Sequence, residues 1–204
     1  ERLKSINDFN DIAEFLYDVR QGLPKVKRER FPVDGESAAV LLLSDLHFGE
    51  IIKNEYGEII YNTEIAEDRM YNLFSDVAEY LKERGLFNLH ICMLGDMVDG
   101  DSIYRNHLFR IEKSAIEQVK DVVRSIVENV KILTDEGISV EIDAVRGNHG
   151  ITNYKNLEED NWDNVAYDML DLVFKDNDMV FFTHFQTDQA KISVMDRRLV
   201  LYNG

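Results

Sequence analysis

Three short polar clusters carry residue types that bind metal ions and activate water. They are Asp45-x-His47, Gly95-Asp96-x-x-Asp99-Gly100 and Gly147-Asn148-His149. Together they offer carboxylate, imidazole and amide groups, a mixed oxygen and nitrogen donor set that suits Mn²⁺, Fe or Zn²⁺ better than calcium. Carboxylates that point at one another repel without a cation, so a metal ion would make such a grouping favourable. The chemistry indicated is metal-assisted hydrolysis.

Phosphate esters are a suitable substrate class for these residue types. Their negative charge repels hydroxide, and two cations about 3.5–4 Å apart can neutralise that charge, lower the pKa of a bound water and align its attack. A bridging carboxylate is the simplest way to hold two cations so close, and an asparagine adds a ligand without adding charge. A histidine oriented by an aspartate can protonate the leaving oxygen near neutral pH.

The elements between the clusters predict that they meet in space. Each cluster directly follows a predicted buried strand, at 38–43, 89–94 and 138–145, and predicted helices at 63–84 and about 108–133 fill the intervals between them. Parallel strands joined by helical crossovers place their carboxyl ends along one edge of the sheet. We therefore expect an α/β domain with the three clusters side by side. Further elements are predicted as helices at 7–22 and about 162–173, and as strands at 179–185, 190–195 and 199–202.

The order of the clusters resembles a known signature. Asp-x-His, Gly-Asp-x-x-Asp and Gly-Asn-His, each at a strand end, are similar to the motifs of the calcineurin-like metallophosphoesterase superfamily. The long second crossover and the Gly-Asn-His-Gly ending resemble nuclease-type, phage-encoded members related to DNA-repair exonucleases. The resemblance covers roughly residues 38–150 and implies two stacked β-sheets flanked by helices, in the order α/β/β/α.

The resemblance also implies a ligand set. Asp45 and His47 would ligate a first metal, Asp96 would bridge two metals, and Asn148 would ligate the second. The cofactors implied are two divalent ions, with Mn²⁺ expected first and Fe, Zn²⁺ or Mg²⁺ as alternatives.

All but one of the remaining site residues are assigned by the same resemblance, and the exception, His107, is chosen from its place at the start of the predicted long helix. His149 would lie beside the scissile phosphate, either as the acid that protonates the leaving oxygen or as a donor to the transition state, and Asp99 would orient it. Arg146 is a candidate to face the phosphate. His107 is a candidate substrate contact near the mouth of the site, with a plain surface or capping role as the alternative.

The pattern departs from the family after the third cluster. The family continues with a lone histidine after a later strand and then a Gly-His-x-His motif, and neither is recognisable here. Asn203 stands where the lone histidine is expected, so either it replaces that histidine or the missing ligands lie outside the chain, which we expect to be a fragment. His184 is interpreted as a packed strand residue and His90 as a satisfied core residue.

Composition limits the other possibilities. The chain has 204 residues, 45% of them apolar, and we expect one α/β domain at 38–204 preceded by an N-terminal helix and basic connector at 1–37. The net charge of −16 argues against a surface that coats nucleic acid. The single cysteine excludes an internal disulfide and a multi-cysteine zinc site. No segment predicts a signal peptide or a membrane span, so we expect a cytoplasmic protein.

Three functions remain open. The first is a metal-dependent phosphodiesterase acting on DNA or another nucleic acid, which a basic cluster could contact (Lys25, Lys27, Arg28 and Arg30). The second is a phosphatase or phosphodiesterase for a small molecule such as a nucleotide, for which an acidic exterior is no obstacle. The third is a non-catalytic subunit that retains the fold. A homodimer or larger assembly is compatible with each.

Overall fold

The computed structural model of the protein describes residues 2–21, 23, 38–101, 107–152 and 160–203, with side chains from residue 11 onward. The predicted basic cluster of the connector lies outside these described residues.

Helices and strands alternate along most of the described chain. The helices are α1 (Arg2–Gln21), α2 (Thr63–Glu83), α3 (Ala115–Asp135) and α4 (Trp162–Phe174). The strands are β1 (Ala39–Leu43), β2 (Ile52–Lys53), β3 (Ile59–Tyr61), β4 (Asn88–Met93), β5 (Ser139–Val145), β6 (Val180–Phe185), β7 (Gln189–Val194) and β8 (Arg197–Tyr202). None of these helices combines the length and the apolar character needed to cross a membrane.

A parallel sheet forms the centre of the fold. Its strand order is β1-β4-β5-β6, and every neighbouring pair is parallel. Each step from one strand to the next contains one helix, α2, α3 or α4 in turn. The predicted α/β class and parallel sheet are therefore confirmed, and the carboxyl ends of β1, β4 and β5 lie at the same edge.

The two faces of this sheet differ because side chains alternate along each strand. On one face Ile91 and Ile142 pack with residues of the helices, such as Phe74 and Val122, in the main core. On the other face a smaller cluster joins the central strands to the antiparallel β7–β8 hairpin; its buried members are Cys92, Val145, Ile192 and Leu201. The hairpin gives the described residues a two-stranded second layer, and the complete α/β/β/α sandwich stays a prediction.

The start of α3 differs from the sequence-based expectation. Helix was predicted from about 108, but His107–Phe109 form a separate 3₁₀ turn and α3 begins at Ala115. Ser114 caps the helix, since its backbone N–H donates to the Glu117 carboxylate at 3.0 Å. The preceding segment bonds elsewhere: the N–H of Ile51 donates to the carbonyl of Arg110. The prediction was wrong here because the apolar periodicity continues through the cap residue and therefore does not show where the helix begins.

Two further features concern the first part of the chain. The antiparallel β2–β3 hairpin was not predicted; its strands are two and three residues long and its isoleucines are largely exposed. Helix α1 packs against the main core through Phe15 and Leu16, and Arg20 forms an ion pair with Asp176 just after α4. The division at residue 37 stays a prediction.

The core packing of α2 can be tested by truncation. Phe74 is fully buried, whereas Tyr71 on the same helix is 60% exposed. We expect Phe74→Ala to lower the free energy of unfolding by about 3–5 kcal/mol, since it removes a buried ring and leaves a cavity. Tyr71→Ala is the matched control and should change it by less than about 0.5 kcal/mol. Equal losses in urea denaturation would contradict the described core.

Candidate metal centre

The first two loops of the site run side by side beyond the ends of β1 and β4. The N–H of Asp45 donates to the carbonyl of Gly95 at 3.1 Å, and the N–H of His47 donates to that of Asp96 at 3.0 Å. The parallel pairing of the two strands therefore continues into the loops that carry the predicted ligands. This pairing brings the first two sequence clusters together.

The third loop approaches the second so closely that only glycine fits at the contact. A Cβ added to Gly147 would lie 2.2 Å from the backbone nitrogen of Asp96, and one added to Gly95 would lie 2.3 Å from the nitrogen of Gly147. Gly95 also has a φ of +86°, which favours glycine. These glycines allow the loops of neighbouring strands to touch through their backbones.

A buried carboxylate holds this contact together. Asp163, in the first turn of α4 and fully buried, accepts N–H groups from Asp96 at 2.9 Å, Gly147 at 2.8 Å and Met97 at 3.1 Å. Burial raises the pKa of Asp163 to about 6 even though these donors favour its ionised form. Asp163 thus connects the second and third loops from beneath.

Sequence reasoning missed Asp163 and a second supporting residue, Gln118. The buried Gln118 side chain of α3 accepts the N–H of Gly100 at 2.8 Å and donates to its carbonyl at 3.0 Å. In the sequence, Asn161-x-Asp163 has the pattern of a helix cap, and Asn161 does accept the N–H of Asp163 at 2.8 Å. Nothing in the spacing of the sequence indicated that the side chain of Asp163 or that of Gln118 reaches a loop of the site.

Three predicted ligands form a group suited to a metal ion. Asp45, His47 and Asp96 each offer one ligand atom, and these atoms all lie within 4.8 Å of one another. All three have positive φ values, of 55°, 44° and 55°. Asp45 is the exposed member, while Asp96 is 3% exposed. Asn148 also lies at this edge, with an exposed side chain between Gly147 and His149.

Asp99 receives hydrogen bonds from three imidazoles. Its Oδ1 lies 3.2 Å from Nδ1 of His47 and 3.0 Å from Nδ1 of His149, and its Oδ2 lies 2.6 Å from Nε2 of His107. Burial alone would raise the pKa of Asp99, but the hydrogen bonds from His149, His47 and His107 outweigh it and hold that pKa well below its usual range. Asp99 is therefore an anion that fixes the orientation of all three rings.

This arrangement determines which imidazole nitrogens face the site. Donation from Nδ1 to Asp99 leaves Nε2 of His47 free of a proton in the neutral ring, as metal ligation requires. Burial lowers the pKa of His47, but the neighbouring carboxylates of Asp99 and Asp96 more than reverse this and raise it overall. The rings of His47 and His149 pack edge to face, 4.3 Å apart between centroids.

The two candidate substrate contacts are placed differently. His107 is 1% exposed and contacts the carboxylate of Asp99. Arg146 is half-buried between β5 and Gly147, and its backbone N–H donates to the carbonyl of Thr187 at 3.0 Å. Contact with substrate stays a prediction for both residues. A contact that the structure shows for the His107 imidazole is its hydrogen bond to Asp99.

The other histidines behave as core and strand residues. His90 is 6% exposed with its Nε2 2.8 Å from Asp143, which confirms the predicted satisfied core residue. With Glu141 these two residues form a further group whose geometry could hold a metal ion, mid-sheet and outside the three loops. His184 lies in β6, and its Nε2 is 3.2 Å from Asp168, which confirms it as a packed strand residue.

The donor set fits a divalent cation. Asp45, His47 and Asp96 supply two carboxylates and an imidazole, and the hydrogen bond between His47 and Asp99 orients the imidazole. Each oxygen of Asp96 accepts one hydrogen bond, from the His149 N–H at 2.6 Å and the Asn203 amide at 3.2 Å. Each therefore retains a lone pair for a cation.

The chain is similar to a distant relative of prophage origin. No protein-family model matches the chain. The chain is 24% identical over 186 residues to the SPbeta prophage-derived uncharacterized protein YonJ of Bacillus subtilis (strain 168). The match covers 89% of this chain and 44% of the relative, so the chain spans less than half of the relative's length.

The connection made by Asp163 can be tested by a change of one functional group. Asp163→Asn replaces an oxygen that accepts a backbone N–H with an NH₂ group that cannot, so at least one buried donor loses its partner. We expect the free energy of unfolding to fall by about 1–3 kcal/mol. Affinity for Mn²⁺, measured by calorimetry, should also weaken by about 10–100-fold because the loops lose their alignment.

Asp171→Asn is the matched control, since Asp171 is an exposed aspartate on the same helix. It should leave both quantities unchanged. An Asp163→Asn variant with the stability and Mn²⁺ affinity of the unaltered protein would contradict the role given to this carboxylate.

Proposed function

We propose that the protein is a divalent-metal-dependent phosphoesterase that hydrolyses a phosphodiester, with nucleic acid as the first substrate to test. The observation that carries this proposal is the meeting, at one sheet edge, of the ligand group Asp45, His47 and Asp96 with the hydrogen-bonded pair Asp99–His149. The first group fits metal ions and the second fits proton transfer. Together they supply the parts that hydrolysis of a phosphoester requires.

The ligand group has a defined part in this reaction. Divalent ions held by these side chains and Asn148 would supply positive charge for the phosphate and lower the pKa of an attacking water. Asp96 is central because both its oxygens keep a lone pair at a buried position, as a bridging ligand needs. His47 is held by Asp99 with Nε2 towards the site.

His149 has a separate part. Its Nδ1 bonds to Asp99, and in this proposal Nε2 is the nitrogen that contacts the substrate. When the imidazole is protonated, Nε2 can donate to the leaving oxygen while the Asp99 carboxylate stabilises the positive ring. Arg146 adds a positive charge beside the same loop and is a candidate to bind phosphate.

The nature of the substrate is argued from two opposing observations. The likeness of the three sequence clusters to the motifs of nuclease-type enzymes favours nucleic acid. The charge of −16 favours a compact substrate such as a nucleotide, since a polyanion is repelled over a longer distance. A non-catalytic subunit is the weakest alternative because a decayed site has no need of an aligned His149–Asp99 pair.

The central role of Asp96 can be tested directly. We expect the purified full-length protein to hydrolyse an aryl phosphodiester with added Mn²⁺ and to lose this activity on chelation. Asp96→Asn should abolish turnover without unfolding the protein, because it removes the charge of a bridging ligand while keeping its shape. Asp68→Asn, at an exposed position of α2, is the control and should retain full activity.

Two outcomes would contradict a metal-dependent mechanism in which Asp96 bridges two ions. Undiminished turnover after elemental analysis confirms metal removal would exclude a metal mechanism. Turnover of the Asp96→Asn variant at the rate of the unaltered protein would exclude a bridged pair of ions.

The part given to His149 makes a different prediction. His149→Ala should keep the bound metal and slow hydrolysis of an unactivated ester by about 10²–10⁴-fold, the usual contribution of a positioned proton donor. The defect should be much smaller for an activated aryl ester, whose leaving group departs without a proton. Rates on both esters and the metal content of the variant are to be measured.

His184→Ala serves as the comparison, since it removes another histidine that is paired with a carboxylate. It should leave the ratio of the two rates unchanged. Loss of metal from His149→Ala, or an equal defect on both esters, would show that His149 is not the proton donor.

A further inference from the structure

We propose that Asn203 is a positioning residue that orients the carboxylate of Asp96 for metal binding. The inference rests on the proposed metal site and adds to it a residue from the β7–β8 hairpin. The side-chain nitrogen of Asn203 lies 2.8 Å from the carbonyl oxygen of Leu94 and 3.2 Å from Oδ2 of Asp96.

The orientation of the Asn203 amide follows from its partners. A carbonyl oxygen and an ionised carboxylate oxygen can only accept hydrogen bonds, so the group between them must be a donor. The NH₂ end of the amide has two N–H groups, one for each acceptor. A reversed amide would place its oxygen against two oxygens and lose both bonds.

Asn203 acts on Asp96 together with a backbone group. The N–H of His149 donates to Oδ1 of Asp96 at 2.6 Å, and the amide of Asn203 donates to Oδ2. Because each oxygen accepts from one donor, rotation of the carboxylate about the Cβ–Cγ bond would break both hydrogen bonds. At 3% exposure Asp96 has little access to water that could replace them. Its plane is therefore fixed before any cation binds, and less ordering is left for the binding step.

The position of Asn203 is itself well supported. Its backbone N–H donates to the carbonyl of Asp188 at 3.1 Å, across the base of the hairpin. Two residues earlier, Leu201 of β8 is buried against Cys92 and Val145 of the central sheet. The hairpin thus delivers one polar side chain to the site from the face of the sheet opposite the helices.

A purely structural role is the alternative, because the bond to Leu94 alone could fasten the hairpin to β4. The two roles differ in what they change. A fastener contributes to thermal stability and leaves the affinity for metal unaltered. A positioning residue changes the affinity for metal, because loss of a group that hydrogen-bonds to a metal ligand weakens metal binding by about 10–100-fold.

The test is a titration of the full-length, metal-free protein with Mn²⁺ alone, followed by calorimetry, for Asn203→Ala and Asn203→Leu. Leucine has the same branching and number of side-chain heavy atoms as asparagine but no donors, which helps to separate lost packing from lost hydrogen bonds. We expect both variants to bind Mn²⁺ about 10–100-fold more weakly than the unaltered protein. Circular dichroism and the melting temperature without metal are measured on the same samples.

Asn177→Ala is the matched control. Asn177 is also a hydrogen-bonded asparagine, accepting the N–H of Met179 at 2.8 Å, but it lies before β6 at the opposite end of the sheet. Its replacement should leave the Mn²⁺ affinity unchanged.

The outcomes separate this inference from the proposed function. Variants of Asn203 that bind Mn²⁺ like the unaltered protein, with or without a lower melting temperature, would overturn the positioning role and leave the phosphoesterase proposal standing. Loss of folding in both variants would likewise overturn it in favour of a fastener. An unaltered protein that binds no Mn²⁺ would refute the proposed function itself, and the inference with it.

Discussion

The architecture of the site depends on the backbone contact between the loops after β4 and β5. Neighbouring parallel strands keep their ends several ångströms apart, and polar loops would ordinarily separate further to reach water. Here Gly95 and Gly147 let the two loops touch, and Asp163 satisfies three N–H groups that the contact removes from solvent. Without that carboxylate the contact would bury unpaired donors, each costing about 1–3 kcal/mol. The geometry of Asp96 follows from this arrangement.

The sequence supports prediction of the parallel strands, of most of the helical residues and of the edge at which the clusters meet, because these depend on local apolar patterns and on general rules of chain connection. The buried runs before Asp45, Asp96 and Asn148 are such patterns. The residues that hold the loops were not predictable in the same way. Asp163 and Gln118 reach their partners only through the packing of a helix, and a lone polar residue in a sequence carries no sign of such a contact. Asn203 was singled out by its place after a predicted strand, but its contact with Asp96 was not.

A similar limit applies to Asp99. The motif pairs it with His149, whereas in the structure it also bonds to His47 and His107. One carboxylate therefore connects the candidate ligand group to His149, the proposed proton donor, and to the buried imidazole of the 3₁₀ turn. The participation of His107 could not be inferred from spacing, since the apolar pattern around it predicted an ordinary helix. In the structure α3 begins only after its cap at Ser114, and His107 lies before that cap in a separate 3₁₀ turn whose imidazole contacts Asp99.

The positive φ values of Asp45, His47 and Asp96 give these positions a second requirement besides the proposed metal binding. Among residues with a side chain, aspartate, asparagine and histidine are the types that tolerate this left-handed backbone best. Backbone and ligand therefore demand the same few amino acids. Glutamate carries the same charge as aspartate, but its longer side chain would place the ligand atom elsewhere, and its backbone tolerates a positive φ less well. Alanine would combine loss of a ligand with a change in strain, so asparagine is the cleaner probe of charge here. The evolutionary freedom at these sites should be correspondingly narrow.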